Sequence, residues 1–259
     1  MKKMCVWLAM FFVISATGTV CSAESLRIAN EGAYPPFNSI TAEGTLVGFD
    51  VDIAKAICEK MGVEPEFVVQ DWNGILTGLL AKKYECIISS MSITEERKKK
   101  VSFTDPYYQV PARFVILKGS GVEISKEGLE GKRVGVQRAT TYANYLEGEY
   151  GDVVEIVYYE TIDDHNMDLA NGRVDAVLGQ AYLMGKWMEK PEAKDFVMVG
   201  DPVNDVNYIG YGAGIAVRKE DEELRKRLDK ALDEIIADGT HKRIASKYFD
   251  FDLLDYDNQ

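Results

Sequence analysis

The chain has 259 residues, 46% of them hydrophobic, with 30 Lys and Arg against 42 Asp and Glu for a net charge of −12. The apolar share is enough for a packed core and excludes global disorder, and the length fits one or two domains. The acidic balance excludes a nucleic-acid binder, which needs a basic footprint.

Lys2 and Lys3 make a positive start, and Val6 to Val20 follow as an apolar run without a charge. At about 1.5 Å per helical residue that run reaches roughly 22 Å, short of a hydrocarbon core about 30 Å thick. Residues 1–23 therefore read as a secretory signal peptide cut near Ala23. Cys21 raises lipidation as an alternative, but Gly18-Thr19-Val20 is a poor lipobox, so lipoprotein anchoring is not expected. Cleavage removes Lys2 and Lys3 and leaves a still more acidic chain, expected in the periplasm or another extracytoplasmic space.

Short apolar strands then alternate with amphipathic helices. Leu26 to Ala29 is a strand, followed by a loop with Pro35-Pro36. Asp50 is placed to cap a helix carrying Ile53, Ala54, Ile57 and Met61 on one face and stopped by Gly62. Phe67 to Val69 is a strand. A helix from Trp72 to Lys82 buries Ile75, Leu76, Leu79 and Leu80, and Cys86 to Ile88 is the next strand. The rhythm restarts with a strand at Arg133 to Val136, a helix capped by Thr140 or Thr141, and a strand at Val153 to Val157. A helix over Asp163 to Asn171 and a strand at Val174 to Leu178 complete it. This is the grammar of two α/β lobes with mostly parallel sheets. Gln109 to Lys118 and the glycine-rich Tyr208 to Val217 are extended stretches that would cross between the lobes as a two-strand hinge. The last strong helix, with Leu224, Leu228, Ala231, Leu232, Ile235 and Ile236, is expected to return to the first lobe.

Cleavage would leave two cysteines, Cys58 on a helix and Cys86 in a strand, without the C-x-x-C spacing of a zinc or redox site. Two buried free thiols are expected, with a mutual disulfide as the alternative. The two histidines, His165 at a helix start and His241 near a helix end, read as charged or capping residues rather than catalytic ones. Gly210-Tyr211-Gly212-Ala213-Gly214 lacks the helix of a nucleotide loop and reads as a hinge segment needing close backbone approach. Lys98-Lys99-Lys100 reads as a solvated helix end.

In open α/β sheets ligands sit beyond the carboxyl ends of the strands. After Ile88 stand Ser89, Ser90 and Ser92, then a helix start at Thr94 and Arg97 one turn in. Hydroxyls, free amides and a guanidinium can converge on one carboxylate, although a serine-rich turn with Arg97 in a surface ion pair also fits. After Ala29, Glu31 and Tyr34 could hold a cationic or flat group, with Trp72 as a second aromatic wall; alternatively the two rings pack in the core and Glu31 is solvated.

Gly48-Phe49-Asp50-Val51-Asp52, the Ser89-to-Arg97 run and Phe103-Thr104-Asp105-Pro106-Tyr107-Tyr108 resemble the polar amino-acid periplasmic binding proteins of ABC importers. Gly135-Val136-Gln137, Asp238-Gly239-Thr240 and Lys247-Tyr248-Phe249 extend the likeness over the mature chain, most closely to the lysine/arginine/ornithine and opine-binding branch. The resemblance implies a type II two-lobed fold, with lobe 1 from residues 24–111 and 210–259 and lobe 2 from 112–209. It implies a monomer that carries an amino acid or amino-acid derivative to an ABC permease by hinge closure, without cofactor, metal or catalysis. Arg97, the Ser92 region and the Thr141 amide would take the ligand α-carboxylate, and Ser90 and Ser92 the α-amino group. Tyr34 and Trp72 would sandwich the side chain, Glu31 with Ser89 would neutralise its cationic end, and Thr140 and Tyr142 would line the second lobe.

Two departures stand out. Gln180 occupies the position where the family usually has an aspartate for the α-ammonium; opine binders of this branch carry an amide there, and Glu31, Trp72 and the run Asp164-His165-Asn166-Met167-Asp168-Leu169 also look opine-like, so arginine-type amino acids and arginine-derived opines stay level as ligands. Pro65 stands where several relatives have a cysteine paired with the Cys58 equivalent, so that disulfide is not expected. The fold also resembles cyclohexadienyl dehydratases, but an acid at Glu31 beside an aromatic cage suits no uncharged ring substrate, and Gln180 is a poor proton donor.

Overall fold

The computed structural model describes residues 24–254, so the expected signal peptide and Cys21 lie outside the described residues. The chain runs β1 (Ser25–Asn30), β2 (Ala33–Tyr34), β3 (Asn38–Ile40), β4 (Leu46–Val47), α1 (Phe49–Met61), β5 (Glu64–Val69) and α2 (Trp72–Leu80). It continues through β6 (Cys86–Ile87), α3 (Glu95–Lys98), β7 (Val101–Phe103), β8 (Ala112–Leu117), α4 (Lys126–Leu129), β9 (Arg133–Gln137) and α5 (Thr141–Tyr150). Then come β10 (Glu155–Tyr159), α6 (Ile162–Ala170), β11 (Ala176–Gln180), α7 (Ala181–Met188), β12 (Phe196–Val203), β13 (Ala216–Arg218), α8 (Glu222–Ala237) and α9 (Thr240–Ala245).

Two five-stranded sheets result, ordered β5-β1-β6-β13-β7 and β10-β9-β11-β8-β12, one for each lobe of a two-lobed α/β fold. In each, the strands that alternate with helices run parallel, as the sequence rhythm predicts. The antiparallel partners β13, β7, β8 and β12 complete the sheets, so each is mixed rather than mostly parallel. A strand's side chains alternate between faces. Ile28, Cys86 and Val217 accordingly join the core under α1 and α8, while Ala29, Ile87 and Ala216 join the core under α2. In the second lobe Val115 and Val177 face Ile162 and Leu169 of α6, while Val134, Val136 and Leu178 face Leu146 of α5. The final long helix, α8, packs on α1 of the first lobe.

Local corrections follow from packing. Gly48, not Asp50, precedes α1; Asp50 sits fully buried in its first turn. Gly62 ends α1 with φ 68°, the left-handed cap expected of glycine. Of the stripe on α2, Ile75 and Leu79 are buried but Leu80 is 46% exposed. The residues around Pro35-Pro36 belong to a small antiparallel sheet, β2-β3-β4, rather than a plain loop. The stretch from Tyr208 to Val217 is regular strand only from Ala216. Its glycines still require close approach: a Cβ on Gly210 would lie 2.2 Å from the Ile93 carbonyl oxygen, and one on Gly212 2.7 Å from that of Tyr108. Tyr107 and Tyr108, just before the first extended stretch, pair with Ala213 in the second, the Tyr107 amide donating to Ala213 O at 2.9 Å and the Ala213 amide to Tyr108 O at 2.8 Å.

Cys58 and Cys86 are free and fully buried. Both histidines are buried rather than charged surface residues: burial pushes the His165 pKa down to about 3 and lowers that of His241. His241 Nε2 lies 2.7 Å from the Tyr107 carbonyl oxygen beside one crossing, a packing role. Lys98 pairs with Glu95 at 2.9 Å and lies over the Tyr211 ring, while Lys99 and Lys100 are exposed. Among the described residues no helix is long and apolar enough to cross a membrane.

Candidate functional site

The loops that follow the neighbouring strands β1 and β6 of one sheet and β9 of the other line a single cavity. It holds about 320 Å³ of space, open side included, within Glu31, Tyr34, Trp72, Ser89, Ser90, Ser92, Arg97, Gln137, Thr140, Thr141 and Tyr142. Ten of the eleven sequence-predicted site residues are in that lining; Gln180 is not, and Gln137 is there unpredicted.

The first lobe supplies a cation and an anion at separate points. Arg97 lies in the short helix α3, whose first turn is capped by the Thr94 hydroxyl accepting from the Arg97 amide at 3.2 Å. Its Nη1 donates to the Ser92 carbonyl oxygen at 2.9 Å, and its guanidinium carbon lies 5.4 Å from the centre of the Trp72 ring. Burial pulls the Arg97 pKa down to about 10, yet among the described residues no carboxylate forms an ion pair with it. A desolvated guanidinium that no acidic side chain neutralises is a receptor for an anion from outside the chain. The surface ion pair considered for Arg97 is not formed.

Glu31 follows β1 and is 7% exposed; its amide donates to Ser89 Oγ at 2.9 Å. Gln137, the last residue of β9 in the other lobe, donates through Nε2 to Glu31 Oε1 at 2.6 Å and to the Glu160 carbonyl oxygen at 3.0 Å. Burial raises the Glu31 pKa to about 7 although the Gln137 bond pulls it down. The solvated alternative for Glu31 therefore does not hold. A carboxylate kept out of water gains most from a cation brought to it. Tyr34 is buried, whereas Trp72 is only partly so and donates through Nε1 to the Ala139 carbonyl oxygen across the gap at 3.1 Å.

Behind the serines stands Asp50. It accepts from Asn38 Nδ2 at 2.7 Å, Ser90 Oγ at 2.9 Å and Tyr107 Oη at 2.8 Å. Burial raises its pKa to about 6 against the pull of these three donors. Ser90, with φ 56°, thereby spends its hydroxyl hydrogen on Asp50 and keeps its oxygen as an acceptor.

On the second lobe Thr140 caps α5, its hydroxyl accepting from the Ala143 amide at 3.1 Å and donating to the Gln137 carbonyl oxygen at 2.7 Å. The cap leaves Thr141 and Tyr142 in the first helical turn at the cavity wall, where backbone amides and the helix dipole favour an anion. Gln180 ends β11 away from this wall. Its Nε2 donates to Tyr108 Oη at 3.2 Å, and its Oε1 is buried with no hydrogen-bond partner among the described residues. Gln137 was read only as part of the Gly135-Val136-Gln137 likeness and not as a site residue; its position at the carboxyl end of β9 was the available signal. Among the described residues there is no group of His, Cys, Asp and Glu placed to hold a metal ion.

The arrangement can therefore hold a small molecule with an anionic head, a flat or aliphatic middle and a cationic end. Comparison with known proteins agrees in kind. The profile of the bacterial extracellular solute-binding proteins, family 3, matches residues 26–251. The chain is 41% identical over 255 residues to the L-arginine-binding protein of Pseudomonas aeruginosa, covering 98% of each chain. It is 37% identical over 257 residues to the histidine-binding periplasmic protein of Escherichia coli, covering 98% of this chain and 99% of that one. Among solved structures, a Salmonella typhimurium periplasmic binding protein described as highly arginine-specific superposes with a TM-score of 0.81 at 32% identity, covering 88% of this chain and all of the other.

Proposed function

The chain belongs to the family 3 bacterial extracellular solute-binding proteins, and on that premise we propose that it captures a basic amino acid of the arginine, lysine and ornithine type outside the cytoplasm. It hands that ligand to an ABC importer, as a monomer and without turnover. Lobe 1 comprises residues 24–111 and 210–259 and lobe 2 residues 112–209. The observation that carries the reading is the presence in one cavity of Arg97, which forms no ion pair among the described residues, and a desolvated Glu31, with the Tyr34 and Trp72 rings in the same lining.

In the proposed mechanism the open form takes the ligand α-carboxylate on Arg97, and closure adds the amides of the first turn of α5 at Thr141. Ser90 Oγ, its hydrogen already given to Asp50 at 2.9 Å, accepts from the α-ammonium together with Ser92. This route supplies the counter-charge that Gln180 lacks, relayed from a buried carboxylate. The side chain lies between Tyr34 and Trp72, and its cationic end meets Glu31, with Ser89 alongside. Thr140, Tyr142 and Gln137 close the second-lobe wall. Closure is driven by the ligand's contacts to both lobes, which only the closed form provides.

The opine alternative rested on an amide at Gln180, with Glu31, Trp72 and the run Asp164 to Leu169 in support; because the Gln180 amide donates to Tyr108, the amino acid is the better-supported ligand. Isothermal calorimetry against L-arginine, L-lysine, L-ornithine, L-histidine, L-glutamine and octopine tests the reading. Micromolar or tighter binding of a basic amino acid with weaker octopine binding is expected. Binding of octopine alone, or of none, would overturn it.

A further inference from the structure

Four side-chain donors bridge the two lobes around the cavity, Gln137 from within it and the others nearer its edge. Trp72 Nε1 and Arg97 Nη2 both donate to the carbonyl oxygen of Ala139, at 3.1 and 3.3 Å. Gln137 Nε2 reaches Glu31 at 2.6 Å, and Asn73 Nδ2 reaches Glu160 Oε2 at 3.1 Å. The convergence on Ala139 has a local cause. Ala139 takes φ 56°, a left-handed conformation that a residue with a side chain rarely adopts, and the turn it makes presents its carbonyl oxygen to the opposite lobe. Strained backbone of this kind persists where surrounding contacts hold it, and it clusters at ligand clamps.

We propose that Ala139 is a positioning residue whose carbonyl oxygen latches the closed form, fixing the Trp72 ring and the Arg97 guanidinium at once and allowing the chain to close part of the time before ligand arrives. This rests on the hinge-closure reading above but not on the identity of the ligand. The latch places the aromatic wall and the carboxylate receptor in register by one acceptor on the other lobe. The closed population before binding sets how much of the ligand's interaction energy remains as affinity.

The test is small-angle X-ray scattering of protein stripped of solute by unfolding, dialysis and refolding, for wild type, Trp72→Phe and Asn73→Ala, each with and without saturating L-arginine. Trp72→Phe keeps a ring but loses the donor to Ala139; Asn73→Ala removes an exposed cross-lobe bond beyond the aromatic wall and leaves the core intact. The expected result is a ligand-free radius of gyration that is smallest for wild type, larger for Asn73→Ala and largest for Trp72→Phe, with all three converging when L-arginine is added. Superimposable ligand-free curves with normal contraction on L-arginine would overturn the latch while leaving hinge closure standing. No contraction of any variant with any basic amino acid would overturn the hinge reading and the latch with it.

Discussion

Replacing Arg97 by alanine separates ligand affinity from fold stability. In the folded chain the guanidinium has two carbonyl acceptors, Ser92 O at 2.9 Å and Ala139 O at 3.3 Å, and the Trp72 face, but it forms no ion pair with an acidic side chain of the described residues. Burial draws its pKa down to about 10, so it remains charged at neutral pH while carrying a desolvation cost. A carboxylate arriving at that point recovers the cost. Removing one partner of such a desolvated pair typically loses about 3–5 kcal/mol. At about 1.4 kcal/mol per decade, that is roughly a hundred-fold to several-thousand-fold in Kd. Removing an uncompensated buried cation should leave the melting temperature of the ligand-free protein unchanged or raised. Arg97→Lys, which keeps charge but not the planar fork, should fall between. Calorimetry with L-arginine and differential scanning calorimetry without it give the two readouts. An Arg97→Ala protein that binds within ten-fold of wild type would refute the assignment, and one that melts far below it would make Arg97 structural.

The pKa of Glu31, raised to about 7, makes its protonated form favoured in the fold, so the folded chain binds more protons than the unfolded chain between about pH 4.5 and 7. Stability from this group is therefore full below that window and lost as pH rises through 7, whereas a cationic ligand needs the carboxylate and should bind more weakly, with proton uptake into the free protein, below pH 7. Calorimetry in buffers of different ionisation enthalpy should show proton release on L-arginine binding near pH 7 that Glu31→Gln abolishes, and Glu31→Gln should weaken cationic ligands more than neutral ones; equal losses contradict the role. Both Gln137 amide hydrogens are engaged, by Glu31 and by Glu160, which leaves its oxygen as the acceptor for the cavity. Gln137→Leu should then cost L-arginine, with its fork of donors, about ten-fold in Kd and L-lysine less; the reverse order in titrations would argue against it. Gln180→Asp buries a carboxylate beside Tyr108 rather than in the cavity, and should lower stability by about 3 kcal/mol in urea melts with little change in ligand preference. Thiol titration should find Cys58 and Cys86 unreactive in the native protein, where burial holds the Cys58 pKa at about 11, and both reactive in guanidinium; their absence after unfolding would indicate a disulfide.

Residues whose chemistry is local were readable from the chain alone. Ser89 to Arg97 and Glu31, Tyr34 and Trp72 follow strand ends, where the topology of an α/β sheet puts ligands, and the cavity gathers them. Asp50 was misread because its helix-start position suits a cap. Its burial comes from Asn38, Ser90 and Tyr107, which arrive from three other parts of the chain. Gln180 and Gln137 both close strands of one sheet, β11 and β9, and no periodicity tells which faces the gap. That depends on the crossing of Tyr108 beneath β11 and on how Glu31 meets β9 from the other lobe. β8 and β13 lie in the two stretches legible as extended, but the antiparallel edge strands β7 and β12 were not legible, because they alternate with no helix and their pairing with β13 and β8 is long-range.

A crystal structure of the protein soaked or grown with L-arginine is the decisive measurement. The α-carboxylate should lie on the Arg97 guanidinium and the first turn of α5, the side chain between Tyr34 and Trp72, and the guanidinium against Glu31 and Gln137. Density for the amino acid outside the interlobe cavity, or inside it with the carboxylate toward Glu31, would overturn the proposed site.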